Sequence, residues 1–302
     1  MSLSLAQALR LAALPYRRAL YRNGGWSRIA HPSDLERLLA QYFSQAEREL
    51  AFAKALSYGE ELPCEFTTFW DAGYPPLLRH IFDPPPILFH RGPLPRPEQT
   101  CISIVGTRRS HALAEYAVRS FLTEQRELRS DLCIVSGFAR GVDRIAHRVA
   151  IELALPAIAV LGSGVLKPGP LANLDLLQGA RQRRVGLSLV SEFLPDAVGR
   201  RWHFPRRNRI IAGCSGTTFV VQAPEKSGAL ITARFALEEG RDVVAFDHPI
   251  LRSLPGANEG NRTLLEDGAL AYEMKEDRTV RRPECLPEPG LRWLGGHHYW
   301  RG

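Results

Sequence analysis

Lysine is scarce in this 302-residue chain: it stands only at Lys54, Lys167, Lys226 and Lys275, so 35 of the 39 basic residues are arginine. Arginine is the better two-pronged ligand for phosphate and stacks on nucleobases, although a genome rich in G and C would produce the same bias. Cysteine is also sparse. Cys64, Cys101, Cys133, Cys214 and Cys285 are odd in number, scattered, and form no C-x-x-C pair. Three of them sit in apolar runs and read as small core residues, so neither a disulfide framework nor a zinc site is expected, and a reducing cytoplasm is. No apolar run approaches the ~20 residues a membrane span needs. The opening MSLSLAQALRLAALP is interrupted by Arg10 and is too short for a secretory leader. The dinucleotide fingerprint G-x-G-x-x-G and the phosphate-loop ending G-K-[S/T] are both missing.

What is present is ordinary globular composition, 45% hydrophobic and 24% charged, with a net charge of +7 that makes polyanions plausible partners. Residues 1–60 carry apolar side chains at helical spacing (Leu5, Leu9, Ala12; Leu35, Leu38, Leu39, Tyr42), which predicts a small helical N-terminal domain. Residues 61–100 are rich in proline, from Tyr74-Pro75-Pro76 to Pro97, and read as a connecting segment. From 101 to 275 short apolar runs alternate with amphipathic stretches. Strands are expected at 101–105, 133–136, 157–161, 187–191, 217–221 and 242–246, and helices at 112–128, 144–153 and 229–239. Apolar strands separated by helices imply an α/β fold: a mostly parallel, Rossmann-like sheet with helices on both faces. Residues 276–302 form a tail, with Trp293, Trp300 and the His297-His298 pair expected to lie at a solvated end.

The predicted strand ends carry the polar residues. They read Gly106-Thr107-Arg108-Arg109-Ser110, Ser136-Gly137, Gly162-Ser163-Gly164 with Lys167 nearby, and Ser227-Gly228. Ligands of open parallel sheets bind beyond these C-terminal ends, where glycine permits close approach and hydroxyls and guanidinium groups meet phosphate. The stretch FPRRNRIIAG (204–213) adds Arg206, Arg207, Asn208 and Arg209 at a helix start, which favours an anion. Two outcomes stay open for these arginines. Solvated, they would bind phosphate and matter little to stability; buried in ion pairs, they would do the reverse. Phe138 and Phe204 are the nearest aromatics, and core packing competes with base stacking for both. Asp143 and His147 share a helix face, but no nucleophile accompanies them, so Asp143 reads as a helix N-cap and His147 as a satisfied polar contact. No catalysis, metal or cofactor is expected.

The strings SIVGTRRS (103–110), IVSGFARGVDRIAH (134–147), IAVLGSG (158–164), SEFLPD (191–196), FPRRNRIIAG (204–213), SGALITARFALEEGR (227–241) and EDGA (266–269) occur in the order of the DNA-processing protein A (DprA/Smf) family. The chain resembles that family over roughly residues 74–271, YPPLLRHIFDPPPILFHRG (74–92) matching its lead-in. The resemblance implies a single-stranded DNA pocket formed by Gly106, Arg108, Arg109, Ser136, Gly137, Ser163, Gly164, Lys167, Arg206–Arg209, Ser227 and Gly228. It also implies a homodimer and the loading of RecA onto incoming DNA in natural transformation. Departures from the family pattern stand at Gly169-Pro170, where a Tyr-Pro pair is usual, at Phe246-Asp247-His248-Pro249, where Val-Pro-Gly is usual, and in the loosely matched 256–265. Pro15-Tyr16-Arg17 replaces a helix-hairpin-helix glycine turn, so DNA binding by the N-terminal helices is not expected. The thirty or so residues after Ala271 are too few for the winged helix that many relatives carry, and none is expected. Two other readings are open: a nucleotide-binding or nucleotide-hydrolysing Rossmann-like protein, which lacks support because the string P-G-G-x-G-T is missing, and a diverged homologue acting in phage defence or repair.

Overall fold

The computed structural model of the chain describes residues 3–274 apart from 17, 23, 24, 31 and 60; the tail expected at 276–302 lies outside the described residues. Four helices come first: α1 (Leu5–Ala13), α2 (Arg18–Arg22), α3 (Pro32–Tyr42) and α4 (Gln45–Leu56). Capping boxes set two of their starts. Ser4 with Gln7 and Ser44 with Glu47 each exchange side-chain and backbone hydrogen bonds, satisfying donors that the first turn leaves free.

A nine-stranded sheet follows, made of β1 (Glu65–Thr68), β2 (Ile87–Arg91), β3 (Thr100–Val105), β4 (Leu132–Ser136), β5 (Ala157–Val160), β6 (Leu187–Ser191), β7 (Thr217–Val220), β8 (Asp242–Phe246) and β9 (Leu270–Tyr272). Its order is β1-β2-β6-β5-β4-β3-β7-β8-β9, parallel from β6 through β9, with β2 antiparallel to both its neighbours. The intervening helices are α5 (Pro76–Arg79), α6 (Leu113–Leu128), α7 (Val142–Glu152), α8 (Leu174–Arg183), α9 (His203–Gly213), α10 (Gly228–Glu238), α11 (Pro249–Ser253) and α12 (Glu259–Glu266). This is the expected Rossmann-like architecture, and all six expected strands and three expected helices form within two residues of their predicted bounds. The proline-rich stretch does more than connect: it supplies β1, β2 and the single turn α5, whose Pro76 occupies the first helical position, where a missing N–H costs nothing.

Both faces of the sheet are covered, which is why its strands are apolar without alternation. Ile102, Ile104 and Ile134 pack under α6 and α7, while Cys101, Val105, Cys133 and Val135 turn to the face carrying α9 and α10. The three described core cysteines, Cys101, Cys133 and Cys214, are buried and free. Ser103 is the polar exception on β3; its hydroxyl donates to the Ile211 carbonyl (2.7 Å) and meets the Ser215 hydroxyl at 2.8 Å. The short edge strand β9 is held by Tyr272, whose ring meets Phe121 and Phe219 edge-on at 5.1 and 5.3 Å.

The strand order reverses between β3 and β7. The chain winds outward from β3 to β6, then returns through α9 to lay β7 on the other side of β3. Such a switch point opens a crevice at the C-terminal edge of the strands, and the loops after β3, β4, β5, β6 and β7 all emerge there.

Candidate nucleic-acid interface

Arg108 and Arg109 follow β3 at the switch point, and both are exposed. The Arg108 guanidinium lies over the Phe204 ring at 5.8 Å, which holds a flexible cation in place without neutralising it. Gly106 and Ser110 are half-buried beside them. Lys167, after β5, is exposed, and Ser163 is tied to it: the Ser163 hydroxyl donates to the Lys167 carbonyl at 2.8 Å. Gly228 is exposed at the start of α10, whose cap is Ser227, accepting from the Ala229 N–H. Three further exposed arginines share this edge and are absent from the motif-based set: Arg140 after β4, and Arg200 and Arg201 after β6. The signal for them in the sequence was the place of Arg140 within SGFARG and of Arg200 and Arg201 just before FPRRNR. The exposed acids on the same loops are Asp196 and Glu225, so the edge is predominantly basic.

Of the two outcomes open for the arginines of α9, the structure shows burial in ion pairs and hydrogen bonds. The helix begins at His203, so they fall at the end of its first turn and just beyond, and all but Arg206 point into the protein. Arg209 makes a two-pronged ion pair with Glu192 (2.6 and 2.8 Å) and pairs through Nε with Asp83 (2.9 Å). Burial pushes the Glu192 carboxyl up, but the charges of Arg209 and Arg206 overcome it and hold it below the usual carboxylate range. Arg206 is the outermost, paired with Glu192 at 2.7 Å and placed against the rings of Tyr16 and Phe193. Tyr16 in turn donates to Asp83 at 2.9 Å, so this network joins the N-terminal helices to the sheet.

Arg207 reaches under the sheet edge. Its Nη1 donates to the Gly137 carbonyl at 2.5 Å and to that of Val160, capping the ends of β4 and β5. Burial lowers its pKa to about 10 against the opposing pull of Asp143, 3.9 Å away. Asn208 is buried too and donates to the Gly228 carbonyl. Two of the glycine corners serve these packings rather than open a backbone to solvent. A Cβ on Gly137 would stand 2.2 Å from the Arg207 guanidinium, and one on Gly164 would stand 2.2 Å from the carbonyls of Leu194 and Pro195. Ser136 is likewise buried, donating to the Ile104 carbonyl.

Asp143 is not the N-cap of α7, which is Gly141. Its carboxylate reaches back to accept from the Ala139 N–H in the loop before the helix, and burial raises its pKa. His147, expected to be satisfied, is fully buried against Phe138 with neither ring nitrogen hydrogen-bonded. Burial, reinforced by the Arg207 charge, holds its pKa down to about 3. His147 is therefore neutral in the folded state and protonates on unfolding below its ordinary value of about 6.5, so the unfolded chain binds more protons and stability falls with pH. Between about pH 6.5 and 3, His147 should contribute up to about 1.4 kcal/mol of lost stability per pH unit. Urea unfolding of His147→Leu across that range should show a shallower slope than the parent; equal slopes would contradict the assignment.

Phe138 is a core residue, with no exposed surface, and Phe204 is half-buried under Arg108. The departures from the family pattern are absorbed locally. Asp247 is buried and paired with Arg252, His248 caps α11 by accepting from the Ile250 N–H, and Asn261 donates to the Val220 and Phe246 carbonyls at 2.9 and 3.0 Å. Pro170 precedes a single 3-10 turn at Leu171–Asn173, whose Asn173 side chain donates to the Phe138 and Ala139 carbonyls. Among the described residues no helix is long and apolar enough to cross a membrane, and no group of three or more His, Cys, Asp or Glu could hold a metal ion.

Residues 65–282 match the family described as DNA recombination-mediator protein A. The DNA processing protein DprA of Bacillus subtilis is 37% identical over 212 residues, covering 70% of this chain and 69% of that protein. The X-ray structure of DNA processing protein A from Streptococcus pneumoniae superposes with a TM-score of 0.75 at 28% identity, covering 90% of this chain and 95% of that one. DNA processing protein A from Helicobacter pylori, described for its single-stranded DNA binding mode, shares the fold with a TM-score of 0.57 at 24% identity over 68% of this chain and 90% of its own. With its motifs in order and its family match spanning the sheet, the chain belongs to the DNA recombination-mediator protein A family.

Proposed function

We propose that this chain binds single-stranded DNA along the C-terminal edge of its sheet and hands it to the recombinase RecA in natural transformation. The observation that carries the reading is the row of exposed cations, Arg108, Arg109, Arg140, Lys167, Arg200 and Arg201, on loops brought to one edge at a switch point. Cations so placed bind the phosphate backbone, giving affinity with little sequence preference. The family and the single-strand binding described for the H. pylori protein support the ligand class. Buried Arg207 contributes charge from below rather than a contact. The chain acts as a cytoplasmic homodimer and as a binding protein without turnover; Asp143 and His147 are buried, the first tied to the Ala139 N–H and to Arg207.

Gel shifts and anisotropy with oligo-dT, duplex DNA of the same length and mononucleotides test the ligand. Oligo-dT should bind at least tenfold more tightly than duplex, and mononucleotides should neither bind measurably nor be hydrolysed. Preference for mononucleotides would favour the nucleotide-binding alternative. RecA assembly on oligo-dT already covered by a single-strand-binding protein should accelerate when the chain is added; no acceleration would remove the RecA step.

A further inference from the structure

Trp202 is 53% exposed, although large aromatic side chains are usually covered in a soluble protein. It is the N-cap of α9, at the end of the loop after β6. That loop is fixed to the corner after β5: the Gly164 N–H donates to the Ala197 carbonyl (2.8 Å) and the Leu166 N–H to that of Pro195 (2.9 Å). The side chains beneath the indole are fixed as well. Phe193 and His203 stack flat on each other at 3.9 Å, and His203 Nδ1 lies 2.9 Å from the Gly162 carbonyl. Neither covers the indole face to face; His203 meets it at 88° and Phe193 at 82°. The result is an immobilised, half-bare aromatic surface flanked by the exposed Arg200 and Arg201.

We infer that Trp202 is a stacking platform for one unpaired nucleobase, with Arg200 and Arg201 holding the adjoining phosphates. Single-strand sites combine a cationic groove with an aromatic face because every base has a π-surface, whereas a duplex keeps its bases stacked on one another. Trp202 would thus make the row of cations selective for single strands. From Arg108 the row continues over the Phe204 ring to the Gly162–Gly164 corner and ends at Trp202. A solvated indole with no ligand would instead lie outside any binding track and leave base content irrelevant. This inference rests on the single-strand reading above.

The test compares oligo-dT with an oligomer of equal length in which the thymines are replaced by abasic sites, at low salt where phosphate contacts keep both measurable. The parent chain should prefer oligo-dT. Trp202→Ala should lose on the order of tenfold in affinity for oligo-dT, within the roughly 5- to 150-fold range of one stacked base, and none for the abasic oligomer. Trp202→Phe should restore most of the loss, which a purely structural defect would not permit. Oligo-dT should also quench the tryptophan fluorescence of the parent and not that of Trp202→Phe. Unchanged oligo-dT affinity in Trp202→Ala, or equal losses for both oligomers, would overturn the stacking role. If Arg108→Ala/Arg109→Ala weakens binding while Trp202→Ala does not, only the stacking fails; if the parent does not bind oligo-dT, the single-strand reading fails and the stacking with it.

Discussion

Arg209→Ala and Glu192→Ala should each unfold more easily by about 3–5 kcal/mol, the cost of leaving one member of a buried ion pair without its partner. The side chains are 3% and 2% exposed, so water cannot take over the lost contact. Removing Arg209 leaves the buried Glu192 with Arg206 alone and Asp83 with only the Tyr16 hydroxyl; removing Glu192 leaves Arg209 with Asp83 and frees Arg206 from its ion pair. The melting temperature should fall by roughly 5–8 °C. Because both residues belong to one network, the double variant should lose less than the sum of the singles by about 1–3 kcal/mol. Thermal and urea melts of the three variants check this, and a loss below 1 kcal/mol in either single variant would contradict it. The network also includes Tyr16, so limited proteolysis should cut the N-terminal helices sooner in Arg209→Ala.

This role explains why a basic, motif-like string was readable and its use was not. The spacing of FPRRNRIIAG places arginines beside an apolar run, and that pattern fits a phosphate site or an ion-pair cluster equally. The deciding partners are remote in sequence: Asp83 stands 126 residues before Arg209, within the proline-rich stretch, and Glu192 stands 17 residues before it. The glycine corners misled in the same way. Gly137 and Gly164 lie at strand ends as a ligand site requires, yet their missing side chains make room for Arg207 and for two carbonyls of the chain itself.

The sheet was more legible than the site. Strands β3 to β8 are buried on both faces, and the continuous apolar runs that result bear a local signature. Strands β1 and β2 had none, because prolines surround them and the pairing of β1 with β2 and of β2 with the remote β6 is set by tertiary contacts. Strand β9 is three residues long, too short for any periodicity. Arg108 and Arg109 were found because they follow a buried strand directly. Trp202 was missed because exposure, its distinguishing property, is invisible in sequence.

Arg108→Ala/Arg109→Ala should show the opposite behaviour to the α9 variants: a folded chain that has lost its ligand. Both side chains are solvent-exposed, and such substitutions usually change stability by no more than about 0.5 kcal/mol. Each lost phosphate contact should reduce the slope of log affinity against log salt by about 0.7, the single-strand value, hence about 1.4 for the pair. Near physiological salt that amounts to a loss of roughly tenfold or more in affinity, similar for any base sequence.

The direct measurement is a titration of oligo-dT at several salt concentrations for the parent and for Arg108→Ala/Arg109→Ala, with melting curves alongside. The cationic sheet edge predicts weaker binding, a slope shallower by about 1.4 and an unchanged melting temperature. Parent-like affinity and slope in a properly folded double variant would place the DNA elsewhere on the molecule.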